Sequence, residues 1–380
     1  MRGMGTWRGT WMLQRLILTG LATLHGQPAQ AQAGGSIYEP IWRLGEWYRD
    51  DTNPVVQSVL FKGRFQQDYA VVNGDQGSER EWNVRRLRLG VRAGVLQQLT
   101  VHAEVDLNPQ EADPLYVRFT DLNLEWNRAG GTTVTLGKQG VSFTTDGSTS
   151  SNELLTLERN NLSNNLWFSE EYMPGVSLSV ERSRWVYQVG AFSSGRRNRA
   201  LGDFSGGVFG IASLGYDAAE ILEREGASVW ASYLSQSPDS DNTFTRALRH
   251  VGSLNARFEA GRWGARGDIS VGFGYLGQSD LWGVVVMPHF DLTTRLQLVG
   301  RYTLVRSEDA NGVRLPSYEN RVVSGRGNRY QDVYVGANHY RFGHRLKLQT
   351  GFQRADMRDR LDDGGTYSGV SWITGLRVSW

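Results

Sequence analysis

The chain has 380 residues, a formal charge of +2 and a mean hydropathy of −0.42. That balance excludes a bundle of apolar spanning helices and offers no global charge argument for a nucleic-acid partner. There is no Cys, which rules out a disulfide framework and a lipoprotein anchor, and 46 Gly, 13 Trp, 15 Tyr and 14 Phe point to strands and turns.

At the N-terminus Arg2, Arg8 and Arg15 precede the apolar run LILTGLATL at 16–24, and small residues follow in GQPAQAQA. Basic, then apolar, then A-x-A is the order of a cleavable secretory signal. Nine apolar residues fall well short of the roughly 20 needed by a spanning helix. Cleavage is expected after Ala33, with Ala29-Gln30-Ala31 also fitting. Removing 1–33 leaves 380 − 33 = 347 residues and takes the charge from +2 to −1, because three arginines and no acids are lost. Residues 34–54 show no clear period and read as a periplasmic lead-in, followed by a barrel over 55–380.

A two-residue period then begins. In VRRLRLGVRAGV, Leu87, Leu89, Val91 and Ala93 fall on one side, and Arg86, Arg88, Gly90 and Arg92 on the other. LTVHAEVDL (99–107) sets Leu99, Val101, Ala103, Val105 and Leu107 against Thr100, His102, Glu104 and Asp106. These are strands with one apolar and one strongly polar face. LYVRFTDLNLEW (115–126) changes phase near Phe119–Thr120, where a bulge is expected. Sixteen strands follow from the pattern, centred near 64, 90, 103, 121, 135, 179, 188, 211, 230, 253, 269, 285, 300, 335, 349 and 374, with poor alternation at 211 and 285. Short connections such as LQQ (96–98) alternate with long ones at 194–207, 235–246, 305–328 and 355–367.

One interval stands apart. Residues 140–175 form a long connection carrying Leu154, Leu155, Leu157, Leu162, Leu166, Trp167 and Phe168, too apolar for a disordered excursion. The expectation is that it folds into the barrel interior. A soluble sandwich also alternates, but here the polar faces of successive strands hold charge after charge. A wide watery lumen accommodates these charges; a small filled barrel would have to bury them. The fold class is therefore all-β, a transmembrane antiparallel β-barrel of about 16 strands with its long third loop in the lumen.

RRLRLGVRAGV…LTVHAEVDL, FTDLNLEW, VTLGKQGVSF and NRYQDVYVGANHYRFGHRLKLQTGF, in this order and spacing, resemble the phosphate-selective porins O and P of Gram-negative outer membranes. The resemblance runs from about Val55 to Trp380. It implies sixteen strands, a homotrimer, a constricting third extracellular loop after the fifth strand, and phosphate conduction along lumen-facing arginines and lysines with an aspartate near the narrowest point. Carried over by motif, Arg85, Arg86 and Arg88 fall on the basic second strand, Asp121 on the acidic position of FTDLNLEW, and Lys138 on the GKQ lysine. Arg92 and Arg118 share the inward parity. The fork of arginine suits the task, since it donates two parallel hydrogen bonds to phosphate oxygens. Any one of these charges also fits a plainer role, balancing Glu104, Asp106 and Glu125 on a wet wall.

The constriction loop departs from an anion-conducting pattern. It sets Asp146, Glu153, Glu158, Glu170 and Glu171 against Arg159 alone. If the acids face the pore, cations are favoured; if they face the wall arginines, they anchor the loop. The reading is passive diffusion of small hydrophilic ions, anions such as phosphate, with a general or cation-preferring porin as the alternative and no cofactor. A barrel enzyme is the competing class, but His102, His250, His289, His339 and His344 show no metal-ligand spacing and no G-x-S-x-G occurs. A plugged structural barrel is the third. In the final stretch GLRVSW, Trp372, Thr374, Leu376, Val378 and Trp380 share the lipid-facing parity. Gly375, Val378 and Trp380 resemble the C-terminal signal read by the barrel-assembly machinery, with Ile373 a departure where a polar residue is usual. The expected surroundings are outer-membrane lipid and lipopolysaccharide.

Overall fold

A computed structural model of the protein describes residues 37–110, 113–166, 172–194, 207–241 and 245–380. The expected leader, 1–33, lies outside the described residues, as do Trp167, Phe168, Glu170 and Glu171 of the third loop. Among the described residues no helix is long and apolar enough to cross a membrane; the chain forms strands instead.

The barrel strands are β1 (Val56–Gly74), β2 (Gly77–Val95), β3 (Leu99–Leu107), β4 (Tyr116–Arg128), β5 (Thr132–Gly140), β6 (Tyr172–Arg182), β7 (Trp185–Ser193) and β8 (Val208–Asp217). They continue as β9 (Gly226–Gln236), β10 (Leu248–Ala260), β11 (Trp263–Gly274), β12 (Leu281–Asp291), β13 (Leu296–Ser307), β14 (Arg329–Phe342), β15 (Leu346–Arg358) and β16 (Tyr367–Ser379). Each pairs antiparallel with the next, and β16 closes on β1 from Gly369↔Gly74 to Ser379↔Arg64. The closed sixteen-strand ring leaves no backbone edge among these strands to be exposed in lipid. All sixteen expected strand centres fall inside these strands, including 211 and 285.

Side-chain direction follows the period. On β16 Ser371, Ile373, Gly375, Arg377 and Ser379 are buried toward the lumen, while Trp372, Thr374, Leu376, Val378 and Trp380 face out. The expected bulge on β4 is present: Glu104 pairs with Asp121 and Val105 with Phe119, so Thr120 is the extra residue. A second, unanticipated bulge lies on β2, where Gln66 pairs with Arg86 and Gln67 with Val84. Arg85 is skipped, which places the consecutive Arg85 and Arg86 on one side of the sheet.

The faint alternation near 211 and 285 has a physical cause. Phe209 on β8 and Leu281 and Val285 on β12 point inward and are fully buried, in one apolar cluster with Phe143, Leu157, Leu162 and Leu166 of the third loop. The inner wall is apolar there because the loop covers it. The long connection expected over 305–328 also turns inward. Val313, Leu315, Tyr318 and Val323 join the same cluster, around a small hairpin (Val313–Arg314 with Arg326–Gly327) and the helix Glu319–Val322. Among the described residues, two loops rather than one pack against the inner wall.

The lead-in also differs from its featureless sequence. It contains a short helix, Glu39–Arg43, and a strand, Glu46–Arg49, that pairs with β1 beyond the end of β16. The Trp42 indole donates to the carbonyl of Ser379. Trp380 exchanges both backbone hydrogen bonds with Gly63, Phe61 lies 6.2 Å from its ring, and Trp47 stacks on Phe61 at 5.3 Å. A second aromatic group, Tyr69, Trp82 and Trp372, lies higher on the same outer surface. Trp372 and Trp380 are eight residues apart, roughly 20 Å of membrane normal for a strand tilted about 40°, which matches the spacing of two interfacial girdles.

Gly63 is a close-approach position, since a Cβ there would overlap the indole of Trp380. Gly63→Val is expected to destabilise closure by about 1–3 kcal/mol through overpacking. The check is the urea midpoint of the detergent-folded barrel; an unchanged midpoint would contradict this packing role.

Candidate functional site at the lumen constriction

The lumen carries two charged sectors with the third loop between them. The first sector comes from β1–β5. Alternation aims Lys62, Arg64, Arg86, Arg88 and Arg92 inward from β1 and β2, and His102, Glu104 and Asp106 from β3. The cross-strand register then sets unlike charges together: Arg88 opposite Asp106, and Asp106 opposite Arg118. Arg88 is 2% exposed and packs between Asp106 (3.4 Å), Glu104 (3.8 Å) and the face of Tyr172 (5.0 Å to the ring centre). Arg118 lies 3.6 Å from Asp106 and also over Tyr172. Arg92 donates to Glu125 at 2.7 Å. Asp121, beside the β4 bulge, accepts from Asn123 at 3.3 Å and lies 3.8 Å from His102. Lys138 is fully buried, and its carbonyl accepts from Asn123.

The β2 bulge separates the duties of two adjacent arginines. Arg86 donates to Gln66 at 2.9 Å, within the wall. Arg85 reaches the loop, donating to both oxygens of Glu158 at 2.7 and 3.2 Å. The structure therefore gathers Arg86, Arg88, Arg92, Arg118 and Asp121 on one wall, and assigns Arg85 to loop anchoring.

Among the described residues, two of the loop acids have side-chain partners in the loop or the wall. Asp146 is buried and accepts from the Asn160 backbone N–H at 2.7 Å and the Asn160 amide at 2.8 Å, closing the loop on itself. Arg159 donates to the carbonyls of Asp146 and Thr149, so it too holds loop backbone. Glu158 faces Arg85. Glu153 is half-buried, its backbone N–H donating to Ser150.

The second sector was not singled out from sequence. Asp268 on β11 accepts from the Thr145 N–H at 2.7 Å, and Arg257 on β10 donates to the Thr145 carbonyl and the Thr149 hydroxyl. Arg301 on β13 donates to the Glu158 carbonyl, Lys347 on β15 to Leu154 at 2.8 Å, Asn338 to Leu155 at 2.9 Å, and Arg377 on β16 to Leu157. Residues 145–158 are thus tied to the wall at many points by wall donors meeting loop carbonyls. Arg377 also pairs with Asp68, which accepts from Tyr318 of the second folded loop at 3.0 Å. A Cβ at Gly375 would collide with the Asp68 carboxylate, so the bare backbone there makes room for that pair.

One residue stands out. Arg266 on β11 is directly opposite Arg257, and its buried Nε and Nη1 have no hydrogen-bond partner among the described residues. The signal was present in ARGDISV, where Arg266 and Asp268 share the inward parity. Among the described residues no cluster of His, Asp or Glu could hold a metal ion.

A closed sixteen-strand barrel with an apolar belt, charged walls and a loop folded into its lumen is an outer-membrane porin. The profile of the phosphate-selective porin O and P family matches residues 59–295, more than half the chain, and the protein belongs to that family. No curated protein matches the sequence. Among solved structures the chain is similar to an anion-selective porin from Comamonas acidovorans, with TM-score 0.60, 14% identity, and coverage of 85% of this chain and 99% of that one. It is also similar to OmpF of Salmonella typhi in complex with daunomycin (TM-score 0.60, 11% identity, 88% and 100% covered). A third is in-vitro folded OmpT of Vibrio cholerae in its trimer form (TM-score 0.52, 13% identity, 85% and 99% covered). At these identities the solved structures bear on the fold alone.

Arg85→Gln leaves Glu158 facing a neutral partner. Arg85 is 31% exposed, so screening keeps the loss near the low end for a broken pair, about 1 kcal/mol. Single-channel recordings are expected to show a noisier open level for Arg85→Gln, and a quieter one again when Glu158→Gln is added.

Proposed function

We propose that this porin prefers anions, of the phosphate type that gives its family its name, and that solute passes between the arginine wall of β1–β4 and the Arg257–Arg266 side. The observation that carries the reading is Arg266: two buried N–H groups beside a second guanidinium, with no acceptor among the described residues, leave a demand that a passing anion or water meets. The loop supports it, because Asp146 and Glu158 are turned to backbone and to Arg85 and do not line a cation path. Arg64, whose Nε is likewise buried without an acceptor among the described residues, extends the same basic surface on β1. Transport is passive: the walls attract solute, exit requires weak binding, and no group in the lumen changes bond order.

The same reading covers assembly and export. The chain is made with the leader 1–33, inserted with Gly375, Val378 and Trp380 as the assembly signal, and assembled as a homotrimer in lipid and lipopolysaccharide, as the trimer form of the Vibrio relative suggests by analogy. N-terminal sequencing of protein extracted from outer membranes is expected to begin at Gly34.

A reversal potential under a KCl gradient tests the selectivity. The wild type is expected to favour chloride over potassium. Arg257→Glu/Arg266→Glu reverses two charges at the waist and should lower the anion-to-cation permeability ratio by about tenfold or more, or invert it. Cation preference in the wild type would end the anion reading.

A further inference from the structure

Outside the conducting walls, the loop end of the barrel holds a cavity of about 120 Å³ between the fifth, sixth and seventh extracellular connections, which carry Arg246, Gln278 and Arg314 in turn. Its lining includes Arg246, Arg314, Arg326, Gln278 and Leu276. The three arginines come from two separate loops, and no acidic residue among those described lines it. The volume is enough for one tetrahedral oxyanion with a water or two.

The arginine-bearing segments also hold the end of the third loop. Arg246 Nε donates to the Asn164 carbonyl at 2.8 Å. The Arg314 N–H donates to Asn165 Oδ1 at 2.8 Å, while the amides of Asn161 and Asn165 donate to the Arg314 carbonyl at 2.8 and 3.1 Å. Gln278 bridges the cavity floor to Gly312 at 2.9 Å. Whatever fills the cavity therefore bears on the short helix Asn161–Leu166 and on the 308–328 loop together.

Three guanidiniums around one small space repel each other. Burial, followed by the neighbouring charges of Arg314 and Arg326, pulls the Arg246 guanidinium down to about 9, and burial with Arg326 lowers Arg314 as well. An anion in the cavity relieves this repulsion and meets forked donors in bidentate geometry.

We propose that this cavity binds a phosphate group, as inorganic phosphate or as a phosphate monoester of the outer leaflet, and that the bound anion locks the third and seventh extracellular loops together. It is a structural site, separate from solute conduction. It does not depend on the selectivity reading: a cation-preferring pore could carry it equally well.

Hydrogen–deuterium exchange on the full-length barrel in detergent tests it. With inorganic phosphate at about ten times its dissociation constant, amides in 161–166 and 308–328 are expected to exchange about tenfold more slowly than in chloride of equal ionic strength. Arg314→Gln/Arg326→Gln should abolish the slowing, and Arg257→Gln/Arg266→Gln in the lumen should keep it. Slowing seen in lipopolysaccharide vesicles without inorganic phosphate, lost in the same double variant, assigns the lipid monoester as the source. Equal exchange of the wild type in phosphate, chloride and lipopolysaccharide overturns the proposal, as does slowing that survives Arg314→Gln/Arg326→Gln.

Discussion

The structure depends on one requirement: in hydrocarbon every backbone N–H and C=O must find its partner within the protein. The β16–β1 pairing meets it by turning a sheet into a ring, and most other features follow. Closure of sixteen strands makes a lumen too wide for wall side chains to fill, so charged residues face water and each other across it. A wide lumen in turn leaves room for connections to fold inward. The closing seam is the place where this can fail, and it is there that the lead-in strand, Trp42, Phe61 and Trp380 are concentrated.

Inside the ring the same chemistry is used twice. Wall carboxylates neutralise wall arginines in the β2–β4 sector, and loop carbonyls and hydroxyls take up wall cations in the sector opposite. Of the residues near the constriction, Arg301, Lys347 and Arg377 donate to loop backbone, and Arg85 to a loop carboxylate. Of the loop acids whose facing the sequence left open, two are fasteners: Asp146 for the loop's own turn and Glu158 for the wall.

How much of this was legible in the sequence differs by length scale. The period of two located all sixteen strands because lipid on one side and water on the other impose it residue by residue. The inward third loop was legible from Leu154 to Leu166, since so many apolar residues need cover. The seventh loop was missed, though Val313, Leu315, Tyr318 and Val323 carried the same signal more sparsely among Arg321, Arg326 and Asn320. The β2 bulge was missed because one extra residue between two arginines leaves no trace in composition. Which acid pairs with which base was not legible at all. Arg85 and Glu158 are 73 residues apart, and only the three-dimensional path of the loop brings them together.

The wall-to-loop hydrogen bonds bear on how long a solute stays. A bare lysine or arginine cluster in a dehydrated waist would hold a multivalent anion tightly and turn over slowly. Lys347 is held by a loop carbonyl, while Arg301 and Arg377 are shared between loop carbonyls and the wall carboxylates Asp332 and Asp68, so less bare positive charge is left to face a solute. Under the proposed anion conduction, the backbone of residues 154–158 would act as a fixed attenuator, exchanging affinity for shorter residence.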